Sequence, residues 1–91
     1  MPESSKLSSL PNIGKDTEQK LIYVGITSPD EFRSTGTEQA FLRLQSVDPG
    51  ACIQLLYGLE GAIQGISSSK LSEARKKELK EFHRMSQISR K

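Results

Sequence analysis

Leu55-Leu56-Tyr57-Gly58-Leu59-Glu60-Gly61-Ala62-Ile63-Gln64-Gly65 is the stretch on which the fold turns. At 100° per residue, Cys52, Leu55, Leu56, Leu59, Ile63 and Ile66 gather within about 100° of one helix face. Gly58, Gly61 and Gly65 gather on the opposite side. A glycine inside an exposed helix costs about 1 kcal/mol relative to alanine, so three in one helix need a reason. Gly65 can end the helix as a C-terminal cap. The other two call for a second element pressed close against the backbone. Residues 49–64 are therefore expected to form a central helix buried on two sides, opened by Asp48 as N-cap and Pro49 at the first helical position.

Outward from that helix the chain keeps a helical rhythm. Ser67-Ser68-Ser69 reads as a linker, and Ser72 caps a last helix over residues 73–86 that docks through Leu79, Phe82 and Met85. Residues 87–91 read as a flexible tail. On the other side, Thr37 caps a helix over residues 37–47 with Phe41, Leu42 and Leu44 apolar. Before it, Thr27-Ser28-Pro29-Asp30-Glu31 is a helix start with Ser28 as N-cap, Pro29 at N1 and Glu31 completing a capping box. That short helix turns Phe32 inward and stops near Gly36. Residues 15–24 form another helix, with Ile13, Thr17, Leu21 and Val24 on one face, Gly25 just past its end and Ile26 closing it. A short helix or turn over residues 5–9 leads in. No stretch alternates as a strand would. The expectation is an all-α compact bundle of about five helices, one domain over residues 1–91, ordered from about 5 to 86.

Composition bounds the function. Ninety-one residues make one small domain, and 26% charged residues is ordinary for a globular chain. No apolar run approaches the roughly 18 residues of a membrane span, and Met1 to Leu10 lacks a secretion signal pattern, so a cytoplasmic protein with no membrane partner is expected. One Cys and one His leave too few ligands for a Cys- or His-based metal site, and nothing calls for a cofactor. The net charge of +2 hides an uneven spread. Residues 1–69 carry five basic and eight acidic groups, whereas residues 70–91 carry eight basic and three acidic.

Two surfaces could bind an anion. Leu10-Pro11-Asn12-Ile13-Gly14-Lys15 resembles the hairpin of helix-hairpin-helix modules, whose usual form is Leu-Pro-Gly-Ile-Gly. The turn needs Gly or Asn where φ is positive, the Ile anchors it, and the amides opening the next helix can face a phosphate. DNA phosphate contact is assigned to Asn12, Ile13, Gly14 and Lys15, helped by Lys20. Asn12 in place of the first Gly leaves less room for close backbone approach. The second surface is a basic stripe of Lys76, Lys77, Lys80 and Arg84, either anion-facing or a solvated helix end in which Glu73 pairs with Lys77. Cys52 reads as a small core residue, His83 as a surface or docking residue, and Tyr57 as a hydrogen-bonding flank. Glu60, if buried, needs a cation, with Lys15, Lys20 and Arg43 as candidates. No catalytic set of nucleophile, base and orienting group emerges, so the chain is not expected to be an enzyme.

The hairpin together with Val24-Gly25-Ile26, Ala40-Phe41-Leu42-Arg43-Leu44, Val47-Asp48-Pro49-Gly50-Ala51-Cys52 and the opening stretch is similar to the C-terminal domain of the TfoX family. These are regulators of competence for DNA transformation. The resemblance covers about residues 7–82. It implies an all-helical domain with a helix-hairpin-helix-like start, and a role in regulating DNA-uptake genes, in some members together with a cyclic-AMP receptor protein. Full-length members carry an N-terminal α/β domain, so this chain is expected to be one half of that design standing alone. Two functions stay open. One is a DNA-associated regulatory module that binds weakly and without sequence specificity, because phosphates carry no base information. The other is a protein-interaction module that docks a transcription regulator or a separate N-terminal-domain chain, or that self-associates. A monomer or weak homodimer is expected.

Overall fold

Five α-helices and two single turns of 3-10 helix follow one another in the computed structural model, which describes residues 6–89 apart from Pro49. The helices are α1 (Lys15–Tyr23), α2 (Pro29–Thr35), α3 (Thr37–Gln45), α4 (Ile53–Gln64) and α5 (Glu73–Ser89). The 3-10 turns are Leu7–Ser9 and Ser68–Lys70. The architecture is the all-α bundle expected. Ser5, Pro49, Arg90 and Lys91 lie outside the described residues. The central helix does not open at Asp48 and Pro49 as expected: residues 50–52 are not helical, α4 starts at Ile53 with Cys52 as N-cap, and the Asp48 carboxylate accepts from the nearby Gly50 N–H at 3.0 Å instead.

Helix α4 is the hub. It packs against α3, α5 and the Ser68–Lys70 turn. Leu56 and Leu59 reach into a core that also holds Leu21, Ile26, Phe32, Phe41, Leu44 and Leu79, all fully buried or nearly so. Leu55, Ile63 and Ile66 are only partly buried against it. Cys52 departs from the expectation. The helix begins one residue later, leaving Cys52 as an exposed N-cap with extended backbone, outside the apolar stripe.

Helix ends follow local chemistry. Both α1 and α4 stop at a Gly-Ile pair. Gly25 and Gly65 take positive φ (93° and 78°). Ile26 N–H donates to the Leu21 carbonyl and Ile66 N–H to the Gly61 carbonyl, each at the six-residue reach of a Schellman closure. At the start of α2, Ser28 Oγ accepts from Glu31 N–H at 3.2 Å. Glu31 in turn reaches past Ser28 to the Thr27 N–H and hydroxyl, at 2.7 and 2.6 Å, one residue further back than a capping box requires. Those two bonds from Thr27, side chain first, hold the Glu31 carboxyl below its ordinary value.

Three expectations change. Gly36, at φ 87°, is the N-cap of α3, and Thr37 is its buried first residue. Helix α3 ends at Gln45, so Val47 lies beyond it, and Leu42 and Val47 are both exposed. Helix α5 continues through residues 87–89, where a flexible tail is expected, and Met85 is 53% exposed. Ser86 holds the buried position instead, where Gln45 Nε2 donates to its Oγ at 3.4 Å. Leu79 and Phe82 dock as expected, the Phe82 ring meeting Phe41 edge-on at 6.5 Å.

Candidate nucleic-acid interface

The hairpin is a turn whose central residue is sewn to α4. Ile13 N–H donates to the Leu10 carbonyl at 3.3 Å, closing a four-residue turn with Pro11 second and Asn12 third. Asn12 has φ 68°, as the third residue of a type II turn requires. Its side chain points back onto the helix. Asn12 Nδ2 donates to the Gly58 carbonyl (3.3 Å) and the Ile66 carbonyl (3.0 Å), and Asn12 Oδ1 accepts from Ser68 N–H (3.3 Å). A Cβ at Gly61 would stand 2.5 Å from Asn12 Nδ2 and 2.7 Å from the Ile66 carbonyl oxygen. The glycine face thus has the close neighbour its sequence calls for: the hairpin on one side and the Ser68–Lys70 turn on the other.

The residues assigned to phosphate contact divide. Asn12 has its amide engaged with α4, and Ile13 is buried as the anchor. Gly14 is the exposed N-cap of α1, with extended backbone and no side chain to cap the first amides. Lys15 is exposed beside it. Lys20 lies further along, between Asp16 at 3.1 Å and Asp48 at 3.0 Å. Hydrogen bonds to Asp48 and then Asp16 hold its ammonium above the ordinary lysine value, and the Asp48 carboxyl is held low by Lys20 and the Gly50 N–H. The first arm of the hairpin is the single Leu7–Ser9 turn, tied to α1 where Glu18 accepts from Ser8 N–H at 3.2 Å.

The stripe on α5 divides too. Arg84 is paired with Glu81 one turn back. Among the described residues, Lys76, Lys77 and Lys80 have no carboxylate within 4 Å, so the expected Glu73–Lys77 pair does not form. Tyr57, Glu73, Lys76, Lys77 and Lys80 line an open groove of about 430 Å³ between α4 and α5. Among the described residues the Tyr57 hydroxyl has no hydrogen-bond partner.

Residues 3–83 match the model of the TfoX C-terminal domain. The chain belongs to that family. The DNA transformation protein TfoX of Haemophilus influenzae is 36% identical over 75 residues, covering 82% of this chain and 35% of that protein. Protein Sxy of Escherichia coli K12 is 36% identical over 77 residues, covering 85% and 37%. The chain spans about a third of the length of these curated relatives. A crystal structure of an uncharacterized protein from Listeria monocytogenes, triclinic form, superposes with a TM-score of 0.87 at 51% identity, covering 89% of this chain and 92% of that one. A tetragonal form of a Listeria monocytogenes protein of unknown function gives 0.83 at 51%, covering 86% and 96%. The crystallised chains are thus almost wholly this domain.

The polar centre of this TfoX-family domain is only half visible in sequence. Glu60 is buried, but its cation is Arg75, from α5, and not Lys15, Lys20 or Arg43. Arg75 Nη2 stands 3.0 Å from Glu60 and 3.1 Å from Glu38, and its Nη1 stands 3.0 Å from Glu78. Thr37 Oγ1 donates to Glu60 at 2.6 Å and Gln64 Nε2 at 2.5 Å. Burial pushes the Glu60 carboxyl up, but its bonds from Arg75, Thr37 and Gln64 outweigh this and leave it below the ordinary value. The bond to Glu60 lifts the Arg75 guanidinium, which stays charged. A carboxylate so enclosed fastens α4 to α3 and α5. His83 rests against the Phe41 ring at 5.8 Å, as a docking residue would. Among the described residues no three His, Cys, Asp or Glu side chains group to hold a metal ion, and no helix is long and apolar enough to cross a membrane.

Proposed function

We propose that the domain is a non-enzymatic regulatory module of the DNA-transformation type, and that it associates weakly with nucleic-acid phosphates at the start of α1. The observation that carries this reading is the sewn hairpin. Asn12 and Ile13 hold the turn against α4, which leaves Gly14 and Lys15 at an exposed corner with the uncapped amides of α1. Such amides and one lysine suit a phosphate oxygen. Lys20, neutralised by two carboxylates, contributes little to this contact. The name of the Haemophilus relative, a DNA transformation protein, supports the transformation setting.

Fluorescence anisotropy with labelled duplex DNA at about 50 mM salt tests the contact. Binding should be weak, should weaken further with salt, and should drop in Lys15→Glu. Binding that ignores that substitution overturns the hairpin assignment.

A second reading has its own observation. Tyr23 is 77% exposed, and with Gln19, Lys20 and Val47 it borders an open groove of about 410 Å³ away from the hairpin corner. Exposed aromatic and aliphatic side chains of this kind suit protein docking, to a transcription regulator, a separate chain carrying the family's N-terminal domain, or a second copy. Sedimentation across concentrations checks the last: self-association should be lost in Tyr23→Ser.

A further inference from the structure

The hairpin lies in the acidic body of the sequence and the surplus lysines lie at its basic end, yet the fold packs both elements on α4. On a wheel of 100° per residue, Tyr57 falls between Glu60, which faces Arg75 on α5, and Gly58 and Gly61, which face Asn12 of the hairpin. Tyr57 therefore marks the seam between hairpin and α5. It also lines the α4–α5 groove with Lys76, Lys77 and Lys80. We infer that this groove is a second subsite, for the phosphodiester backbone of nucleic acid.

The neutralisation pattern argues for a ligand. Arg75, Arg33, Arg84 and Lys20 each have a carboxylate of the chain beside them. Lys76, Lys77 and Lys80 have none among the described residues. That is also true of Lys6, Lys15 and Lys70, but Lys76, Lys77 and Lys80 alone are gathered along one groove, and Glu78 and Glu81 of the same helix pair with Arg75 and Arg84 instead. Among the described residues the only carboxylate lining the groove is Glu73, set against three ammonium groups. Like charges at i and i+4 repel, so holding Lys76 and Lys80 one turn apart costs the helix a little unless an anion lies between them. Three lysines are mobile point charges, each able to meet a phosphate oxygen, and both nearby arginines are occupied. Lys76 and Lys80 stand about 6 Å apart along the axis, comparable with successive phosphates of one strand. Tyr57 adds a hydroxyl donor without a partner among the described residues, and an aromatic edge beside the phosphate track.

This inference rests on the nucleic-acid reading above but places the larger share of charge on α5. Anisotropy titrations with a labelled 20-mer, as duplex and as single strand, test it for the wild-type protein, Lys76→Gln/Lys80→Gln and Lys15→Gln, with a polyglutamate competitor. The double variant should lose about tenfold in affinity and lower the slope of log K against log salt by about two, while Lys15→Gln lowers it by about one. Circular dichroism melting confirms that each variant is folded, and Lys77→Gln/Lys80→Gln stands in if the first double variant is not. Loss confined to Lys15→Gln overturns the groove and leaves the hairpin reading intact. Unchanged wild-type affinity in both variants overturns both. Displacement of DNA by polyglutamate at equal charge concentration overturns the phosphodiester assignment.

Discussion

Helix α4 is gripped on two flanks by opposite chemistries. On the hairpin flank it presents glycines, and the neighbour comes so near that a short amide, Asn12, reaches backbone carbonyls directly. On the α5 flank it presents a buried carboxylate, and the neighbour is a long guanidinium arm that also collects Glu38 and Glu78. The first contact is steric and backbone-directed, so it depends on the absence of a side chain. The second is electrostatic and depends on two partners being present together. The two flanks should therefore fail differently: the hairpin side when an atom is added, the α5 side when one is removed.

The largest effect is expected from Arg75→Met. It leaves Glu60 buried with no cation, and breaking a buried pair costs about 3–5 kcal/mol. The Arg75 side chain keeps 27% exposure, which argues for the low end, about 3 kcal/mol. Thermal melting should fall by more than about 10 °C. A melting point within about 2 °C of wild type would mean that Leu79 and Phe82 alone hold α5. The same pair sets an acid limit. The folded Glu60 carboxyl lies below its ordinary value of 4.5, so its stabilising contribution is full above that pH and is lost as pH falls through the lower folded value. Glu60→Gln should flatten the drop in stability below pH 4.5, measured by urea unfolding. Glu31 and Asp48, also held low, should keep part of it.

On the hairpin flank, Asn12 separates turn geometry from stitching. Asn12→Ala loses the amide bonds, worth about 1 kcal/mol net, and adds the left-handed strain of a Cβ residue, about 1 kcal/mol or more. A total near 2 kcal/mol is expected. Asn12→Gly loses the bonds but keeps the permitted φ of 68°, so about 1 kcal/mol is expected. Equal losses in the two variants would show that the turn tolerates any residue, and that the amide alone holds the hairpin.

These flanks also differ in how well the sequence discloses them. The glycine face is readable because two interior glycines on one side of a helix weaken it unless a neighbour packs close against them, and the Gly-Ile endings and the Ser28 cap obey local rules. Neither the partner of that face nor the partner of Glu60 is readable. Asn12 is 46 residues from Gly58, and nothing local in either segment points to the other. For Glu60, three cations earlier in the chain compete on equal terms with Arg75, and only the packing angle of α5 decides among them. Cys52 and Met85 escape the pattern because apolar periodicity runs past the point where a helix starts or leaves the core. At the hairpin, the Asn12 side chain is taken up inside the molecule, because an asparagine amide offers both donors and an acceptor to a neighbouring helix.

The glycines themselves sharpen the steric side of the comparison because substitutions there should differ in sign, the smallest effect of all falling at Gly58. At Gly61 a methyl would meet the Ile66 carbonyl at 2.7 Å and Ser68 N at 3.2 Å, and both are backbone atoms that move only with the whole turn. Overpacking of this kind costs about 1–3 kcal/mol, and the gain in helix propensity returns about 1, so Gly61→Ala should destabilise by up to about 2 kcal/mol. At Gly58 the nearest atom to a new methyl is Asn12 Cβ at 3.5 Å, an ordinary contact. There the propensity gain stands almost alone, and Gly58→Ala should stabilise by about 0.5 kcal/mol in urea unfolding. Destabilisation at both positions would mean that the hairpin presses on the whole glycine face. Stabilisation at both would mean that the Ser68–Lys70 turn yields, and that closeness of backbone is not what holds this flank.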